Sequence, residues 1–162
     1  MCIRDRPLTI HQLLSLKHIL LDIEVDNKFD AIHALIDTFI GTIDTKQLLE
    51  IREAIVSREK IMSTGVGQGL AIPHGKTDAV DQYYGAFARL KEPIEFNSID
   101  SIPVQLIFLI VGPYSDHRIH IRLLSRVSTL MNYDDFRTDL LAVQNEKELI
   151  EYFKEKELRQ FS

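Results

Sequence analysis

The residues best able to do chemistry lie together in one segment, Arg58-Glu59-Lys60-Ile61-Met62-Ser63-Thr64-Gly65-Val66-Gly67-Gln68-Gly69-Leu70-Ala71-Ile72-Pro73-His74-Gly75-Lys76. Gly65, Gly67 and Gly69 stand at alternate positions, which lets the backbone bend and approach a ligand closely. Loops of this kind can point several N–H groups at one anion, and Ser63 and Thr64 add hydroxyl donors. His74 follows a short apolar stretch and a proline that restricts the backbone. Its ring would then be held at a strand end, where loops carry function.

The glycine pattern alone admits several readings. Gly75-Lys76-Thr77 matches the end of a nucleotide P-loop, G-x-x-x-x-G-K-[ST]. The position five before Gly75 is Leu70, however, Gly69 is one residue too early, and Pro73 and His74 interrupt the loop. Gly65-Val66-Gly67-Gln68-Gly69 is G-x-G-x-G rather than G-x-G-x-x-G, and the apolar strand follows it instead of preceding it, against a dinucleotide fingerprint. A glycine-rich turn beside an ordinary structural histidine stays open on these residues alone. A zinc site is not expected. His11, His18 and His33 are scattered without metal spacing, and His117 and His120 are three apart with no carboxylate or cysteine set beside them.

The elements that must position this segment can be read from periodicity. Thr9–Leu14 reads as a short helix and His18–Val25 as a strand. Asn27 opens a helix with Asp30 near the capping-box position; Phe29, Ile32, Leu35, Ile36, Phe39 and Ile40 follow helical spacing until Gly41. Asp44, with Gln47 at the box position, opens the next helix, which should run to about Arg58. Residues 70–72, 85–90 and 104–111 read as strands, the last apolar nearly throughout, as a strand buried on both faces should be. Helices over about 116–131, 133–142 and 146–158 close the chain, the last capped by Asn145 and Glu148. This order predicts an α/β protein of three layers, α/β/α, with a central mixed sheet flanked by helices on both faces.

The bulk properties narrow the function classes. The chain has 162 residues, 45% hydrophobic and 27% charged, which suits one domain with a sizeable core. Residues 7–160 are assigned to it. Residues 1–6, Met1-Cys2-Ile3-Arg4-Asp5-Arg6, have no periodicity and are set aside as an extension of extraneous origin. A net charge of −5 argues against a non-specific nucleic-acid binder. The one cysteine, Cys2, excludes a disulfide framework. No apolar run approaches the length of a membrane span and no signal pattern is evident, so a cytoplasmic protein with no membrane insertion is expected.

Ser63-Thr64-Gly65, the later glycines and Ala71-Ile72-Pro73-His74-Gly75-Lys76 together resemble the active-site signature of the type-2 enzyme IIA family of the bacterial phosphotransferase system, the fructose, mannitol and nitrogen-regulatory type. The resemblance extends from about Leu8 to the last helix. It includes Arg58-Glu59-Lys60, residues 87–94, Ile99-Asp100 with Pro103-Val104, and His120 with Leu123-Leu124-Ser125. Residues 63–65, 69–76 and 99–103 look most like the nitrogen-regulatory branch. Gln68 stands where relatives often show Asn.

The resemblance implies the fold of that family and no cofactor. It implies that His74 accepts a phosphoryl group, that Arg58 supplies a fixed positive charge, and that His120 bonds His74 or the phosphoryl group. It selects His120 over His117, three residues earlier on the same predicted helix and on the same face. Ser63, Thr64, Gly65, Gly67, Gln68 and Gly69 are expected to hold phosphoryl oxygens. The donor implied is a histidine phosphocarrier protein, HPr or its nitrogen-branch homologue. Downstream lies either a regulated transporter or signalling protein or, in a sugar-uptake role, a separate enzyme IIB; a non-catalytic interaction domain is the third alternative. Imidazole suits the task, since its reference pKa of about 6.5 leaves much of it neutral near pH 7 and able to attack phosphorus without a separate base.

Overall fold

The computed structural model describes residues 9–115 and 117–161, so residues 1–6 lie outside it. Among the described residues six α-helices and six strands follow one another, the strands mostly in one central run. They are α1 (Ile10–Leu13), β1 (Ile19–Ile23), α2 (Lys28–Asp37), α3 (Thr45–Ile61), β2 (Gly65–Gly67), β3 (Leu70–Ala71), β4 (His74–Lys76), β5 (Tyr84–Ile94), β6 (Val104–Gly112), α4 (His117–Met131), α5 (Asp134–Ala142) and α6 (Glu146–Phe161).

The helix starts follow the capping residues. The Asn27 side chain accepts the Asp30 N–H at 3.0 Å, Asp44 accepts that of Gln47 at 2.8 Å, and Asn145 accepts that of Glu148 at 2.8 Å. Each satisfies a donor that the first helical turn leaves without an intrahelical partner. The end of α2 differs from the sequence expectation. After Asp37 the bonding tightens to three-residue steps, Thr38 N–H to Leu35 O, Phe39 N–H to Ile36 O and Ile40 N–H to Asp37 O. The tighter winding rotates Phe39 into the core and leaves Ile40 exposed, although straight helical spacing places both on the buried stripe.

The sheet is mixed, in the order β1-β5-β6-β3-β2, with β4 also pairing β6. β5 and β6 are antiparallel, as are β2 and β3; β1 lies parallel to β5, and β3 and β4 parallel to β6. Alternation along β6 feeds two cores. Leu106, Phe108 and Ile110 join the cluster under α1, α4, α5 and α6, whereas Ile107, Leu109 and Val111 join the cluster under α2 and α3. The α/β/α layering expected from the sequence is the observed architecture.

β1 is shorter than the predicted His18–Val25. His18 lies in a 3-10 turn, and Asp22 sits at φ 59° where the pairing with β5 shifts register. Arg89 explains the bulge. Its guanidinium forks onto Asp22 at 2.8 Å for both bonds and sends Nη1 to the carbonyls of Leu140 (3.0 Å) and Val143 (2.7 Å) at the end of α5. The hydrogen bonds from Arg89 hold the Asp22 carboxyl below its usual range. A buried arginine thus closes the open carbonyl end of a helix against the sheet edge. Arg89→Met should strand those carbonyls and lower stability by about 3 kcal/mol, measured by urea denaturation. A loss under about 1 kcal/mol would show that water replaces the guanidinium there.

Candidate active site

β3 and β4 pair successive stretches of β6, Leu70 opposite Leu106 and His74 opposite Ile110, with Ile72 and Pro73 between them. Pro73 has no N–H to donate, and its carbonyl accepts the Ile110 N–H at 3.0 Å. The Ile72 carbonyl instead meets Nδ1 of His74 at 2.8 Å. A carbonyl can only accept, so Nδ1 carries the proton and Nε2 keeps its lone pair. The break in the ladder at Ile72-Pro73 therefore sets the tautomer of the ring.

Strand alternation then places the neighbours. Leu70 and Ile72 belong to the cluster on the α4 side, and the His74 ring packs edge-on against His120 of α4, with centroids 5.5 Å apart. Gly75 faces α3. A Cβ there would lie 3.1 Å from Ala54 C and from Ile55 N, so the helix backbone rests directly on the strand. That close approach brings the last turns of α3 alongside β4, and Arg58 reaches the same cleft as His74. The cleft encloses about 550 Å³ and is lined by Arg58, His74, Lys76, His117 and His120, with Ile61, Tyr114 and Ile121 at its apolar edges.

Arg58 is half-buried and donates from Nη1 to the Met62 carbonyl at 2.7 Å, which anchors it at the end of α3. Lys76 Nζ donates to His117 Nδ1 at 2.5 Å. Neither Lys76 nor His117 was assigned a role from the sequence. The signals were nonetheless there: Lys76 is two residues from His74 on a strand, and His117 three from His120 on a helix, spacings that share a face.

Both central rings are held neutral. Burial lowers the pKa of His74; the bond to Ile72 pulls it up, the Arg58 charge lowers it, Glu59 raises it and Lys76 lowers it. Burial, with His74, Lys76 and His117 nearby, pushes His120 down to about 4. His120 is 5% exposed, and its Nδ1 has no hydrogen-bond partner among the described residues. An unpaired buried nitrogen is costly.

These shifts predict an acid sensitivity with a definite sign. His18 is also lowered, by burial and then by Lys17, and its Nε2 lacks a partner among the described residues. Unfolded, each imidazole protonates near pH 6.5, whereas folded it stays neutral to lower pH. Between those values the unfolded chain binds more protons, so stability falls as pH drops. The decline should begin near pH 6.5 and continue toward the value of about 4 that His120 reaches, by at most about 1.4 kcal/mol per pH unit for each histidine. Urea midpoints taken from pH 7.5 to 4.5 test this, and His18→Phe should flatten part of the slope. Constant midpoints above pH 5 would count against it.

The hydroxyls and glycines of the loop have partners of their own within the fold. Ser63 Oγ donates to the Phe96 carbonyl and accepts the Gly65 N–H at 3.0 Å. The Thr64 N–H and Oγ1–H both bond Glu59. Gly65 is pressed on Ser98, whose Oγ would be 2.1 Å from an added Cβ. Gly67, Gln68 and Gly69, all at positive φ, turn β2 into β3 at the level of Leu106. His74 lies opposite Ile110, four residues further along β6, about 13 Å at ~3.3 Å per residue. The Gln68 N–H bonds Asp100 at 2.7 Å and its side chain Asn132 at 3.3 Å. The loop tip thus borders two other clefts, of about 420 and 450 Å³. Register therefore spreads these residues along the sheet: Gly67, Gln68 and Gly69 turn at the level of Leu106, whereas Gly65 pairs Ala71 and Thr64 O accepts the Ile72 N–H, nearer His74.

Comparison with known proteins agrees with the architecture. The family model described as "Phosphoenolpyruvate-dependent sugar phosphotransferase system, EIIA 2" matches residues 12–156, and the chain belongs to that family. Within it, the chain is 41% identical over 90 residues to a nitrogen regulatory protein of Bradyrhizobium diazoefficiens, covering 56% of this chain and 59% of that protein. It is 35% identical over 144 residues to the fructose-specific EIIABC component of Bacillus subtilis, covering 88% of this chain but 22% of that protein. The chain therefore spans about a fifth and about three fifths of these two relatives. The crystal structure of nitrogen regulatory protein IIA-Ntr from Neisseria meningitidis superposes with a TM-score of 0.82 at 33% identity, over 89% of this chain and 98% of that one. No helix among the described residues is long and apolar enough to cross a membrane, and no group of three or more metal-ligating side chains occurs among them.

Proposed function

We propose that residues 7–160 form one phosphoryl-carrier domain that receives its phosphoryl group on His74 Nε2 from the phosphohistidine of a phosphocarrier protein. The observation that supports this most strongly is the bond from Nδ1–H to the Ile72 carbonyl, which leaves Nε2 as the nucleophile beside the cleft. In the transfer, the Nε2 lone pair forms the new N–P bond as the donor's N–P bond breaks, and the donor imidazole keeps that electron pair. Phosphoryl transfer needs positioning and charge stabilisation more than covalent machinery. Arg58 and Lys76 supply positive charge, and His120 supplies a neutral ring whose Nδ1 is unpaired among the described residues. Ile61, 80% exposed, with Met62, Tyr114 and Ile121 gives an apolar rim suited to a docking protein.

The regulatory role is preferred, in which the phosphorylation state controls a transporter or signalling protein; the nitrogen regulatory relatives in sequence and structure support it. A phosphoryl group adds about −1.5 to −2 of charge to the rim and so attracts or repels a partner. The fructose-specific relative supports a second reading, in which the group passes on to an enzyme IIB.

Incubation with phosphoenolpyruvate, enzyme I and a phosphocarrier should label one imidazole per chain with an acid-labile group. Absence of label removes the carrier function. Rapid discharge to an enzyme IIB, with no partner whose affinity depends on phosphorylation, would favour the sugar-uptake reading.

A further inference from the structure

Glu59 follows Arg58 on α3 but serves the interior. Its side chain is 0% exposed, and nothing in the transfer chemistry above uses it. A buried carboxylate is costly unless it is both paired and hydrogen-bonded. Lys28 Nζ stands 3.3 Å away, itself within reach of the Phe29 and Phe96 rings. The Thr64 N–H reaches the two carboxylate oxygens at 3.1 and 3.3 Å, and Thr64 Oγ1–H donates at 2.5 Å. The Thr64 carbonyl in turn accepts the Ile72 N–H at 3.0 Å. The Ile72 carbonyl accepts Nδ1–H of His74 at 2.8 Å. One run of bonds therefore leads from the buried carboxylate to the proton on the acceptor ring.

We propose that Glu59 is a positioning residue for phosphoryl transfer: by clamping Thr64 it holds the Ile72 carbonyl where it accepts the hydrogen bond from Nδ1–H of His74, with Lys28 as its partly buried counter-ion. The inference rests on His74 as the acceptor. Buried ion pairs can often be replaced by apolar residues without loss of stability, so stability alone does not require this one. Its position does matter to the site, because a small misplacement of a reacting group slows a reaction far more than the bonds that held it add to stability.

The test compares 15N spectra of the His74 imidazole with the kinetics of phosphoryl acceptance in three variants. Lys28→Met with Glu59→Leu removes both charges of the pair at once. It should show a mixture of His74 tautomers and a kcat lowered about tenfold, with KM for the phosphocarrier unchanged. Lys28→Met with Glu59→Gln keeps an acceptor for Thr64 and should restore most of the single tautomer and the rate. A folded Lys28→Met, Glu59→Leu protein with wild-type tautomer and wild-type kcat overturns the proposal. Should that variant fail to fold, Thr64→Val, which loses only the hydroxyl donor, decides on the same two readouts, and wild-type values there overturn it equally. If the wild-type protein takes no phosphoryl group on His74, the functional reading fails on its own, while the tautomer comparison still decides the clamp.

Discussion

His74→Ala should take up no phosphoryl group from a charged phosphocarrier protein, while folding and docking persist. The ring lies at the edge of the cleft and is only half-buried, so its loss leaves the two hydrophobic clusters intact. What disappears is the one nucleophilic nitrogen whose tautomer the backbone sets. His120 cannot substitute from its place on α4, because it is nearly buried beneath His74. His117 accepts from Lys76 through Nδ1 and is a fixed partner of that ammonium. Intact-protein mass spectrometry after incubation with the complete phosphoryl chain gives the measurement. The wild type should gain one phosphoryl mass and the variant none. A variant labelled at wild-type yield would move the acceptor to another imidazole and end the assignment.

Arg58→Ala should slow acceptance by about 10²- to 10³-fold, the usual cost of removing one preorganised donor that stabilises developing charge. The loss should fall on kcat rather than on KM for the phosphocarrier, since the guanidinium serves the transferring group more than the docking face. A second signature comes from electrostatics. The Arg58 charge helps lower the His74 pKa, so its removal should shift the acid limb of the rate profile to higher pH. Arg58→Lys keeps the charge and should recover part of the rate; the planar fork it lacks accounts for the remainder. An unchanged kcat in Arg58→Ala would restrict the residue to its bond with the Met62 carbonyl at the end of α3.

Much of the scaffold was legible because its causes are local. Asn27, Asp44 and Asn145 announce helix starts, and each does cap its helix. The apolar run 104–111 proved to be the central strand with both faces covered. β2 and β4 were harder to see. With only three residues each, they have too short a span for alternation to register, and they owe their strand form to pairing with β3 and β6. Arg89 shows the same limit. Nothing beside it in sequence marks a buried guanidinium, because its partners are 51 to 67 residues away.

By itself the sequence determined the layered α/β order and the segment that bears Arg58 and His74, and its resemblance to a family pointed to His120 on a separate helix, since residue type, period and motif are properties of short stretches of chain. Only the tertiary structure decided which of these residues meet. It carried Gly67, Gln68 and Gly69 along β6 away from His74, brought Lys76 and His117 into the cleft, and turned Glu59 inward onto Thr64. The physical reason is register: where β3 and β4 lie along β6, and how closely Gly75 lets α3 approach, depend on packing between distant parts of the chain.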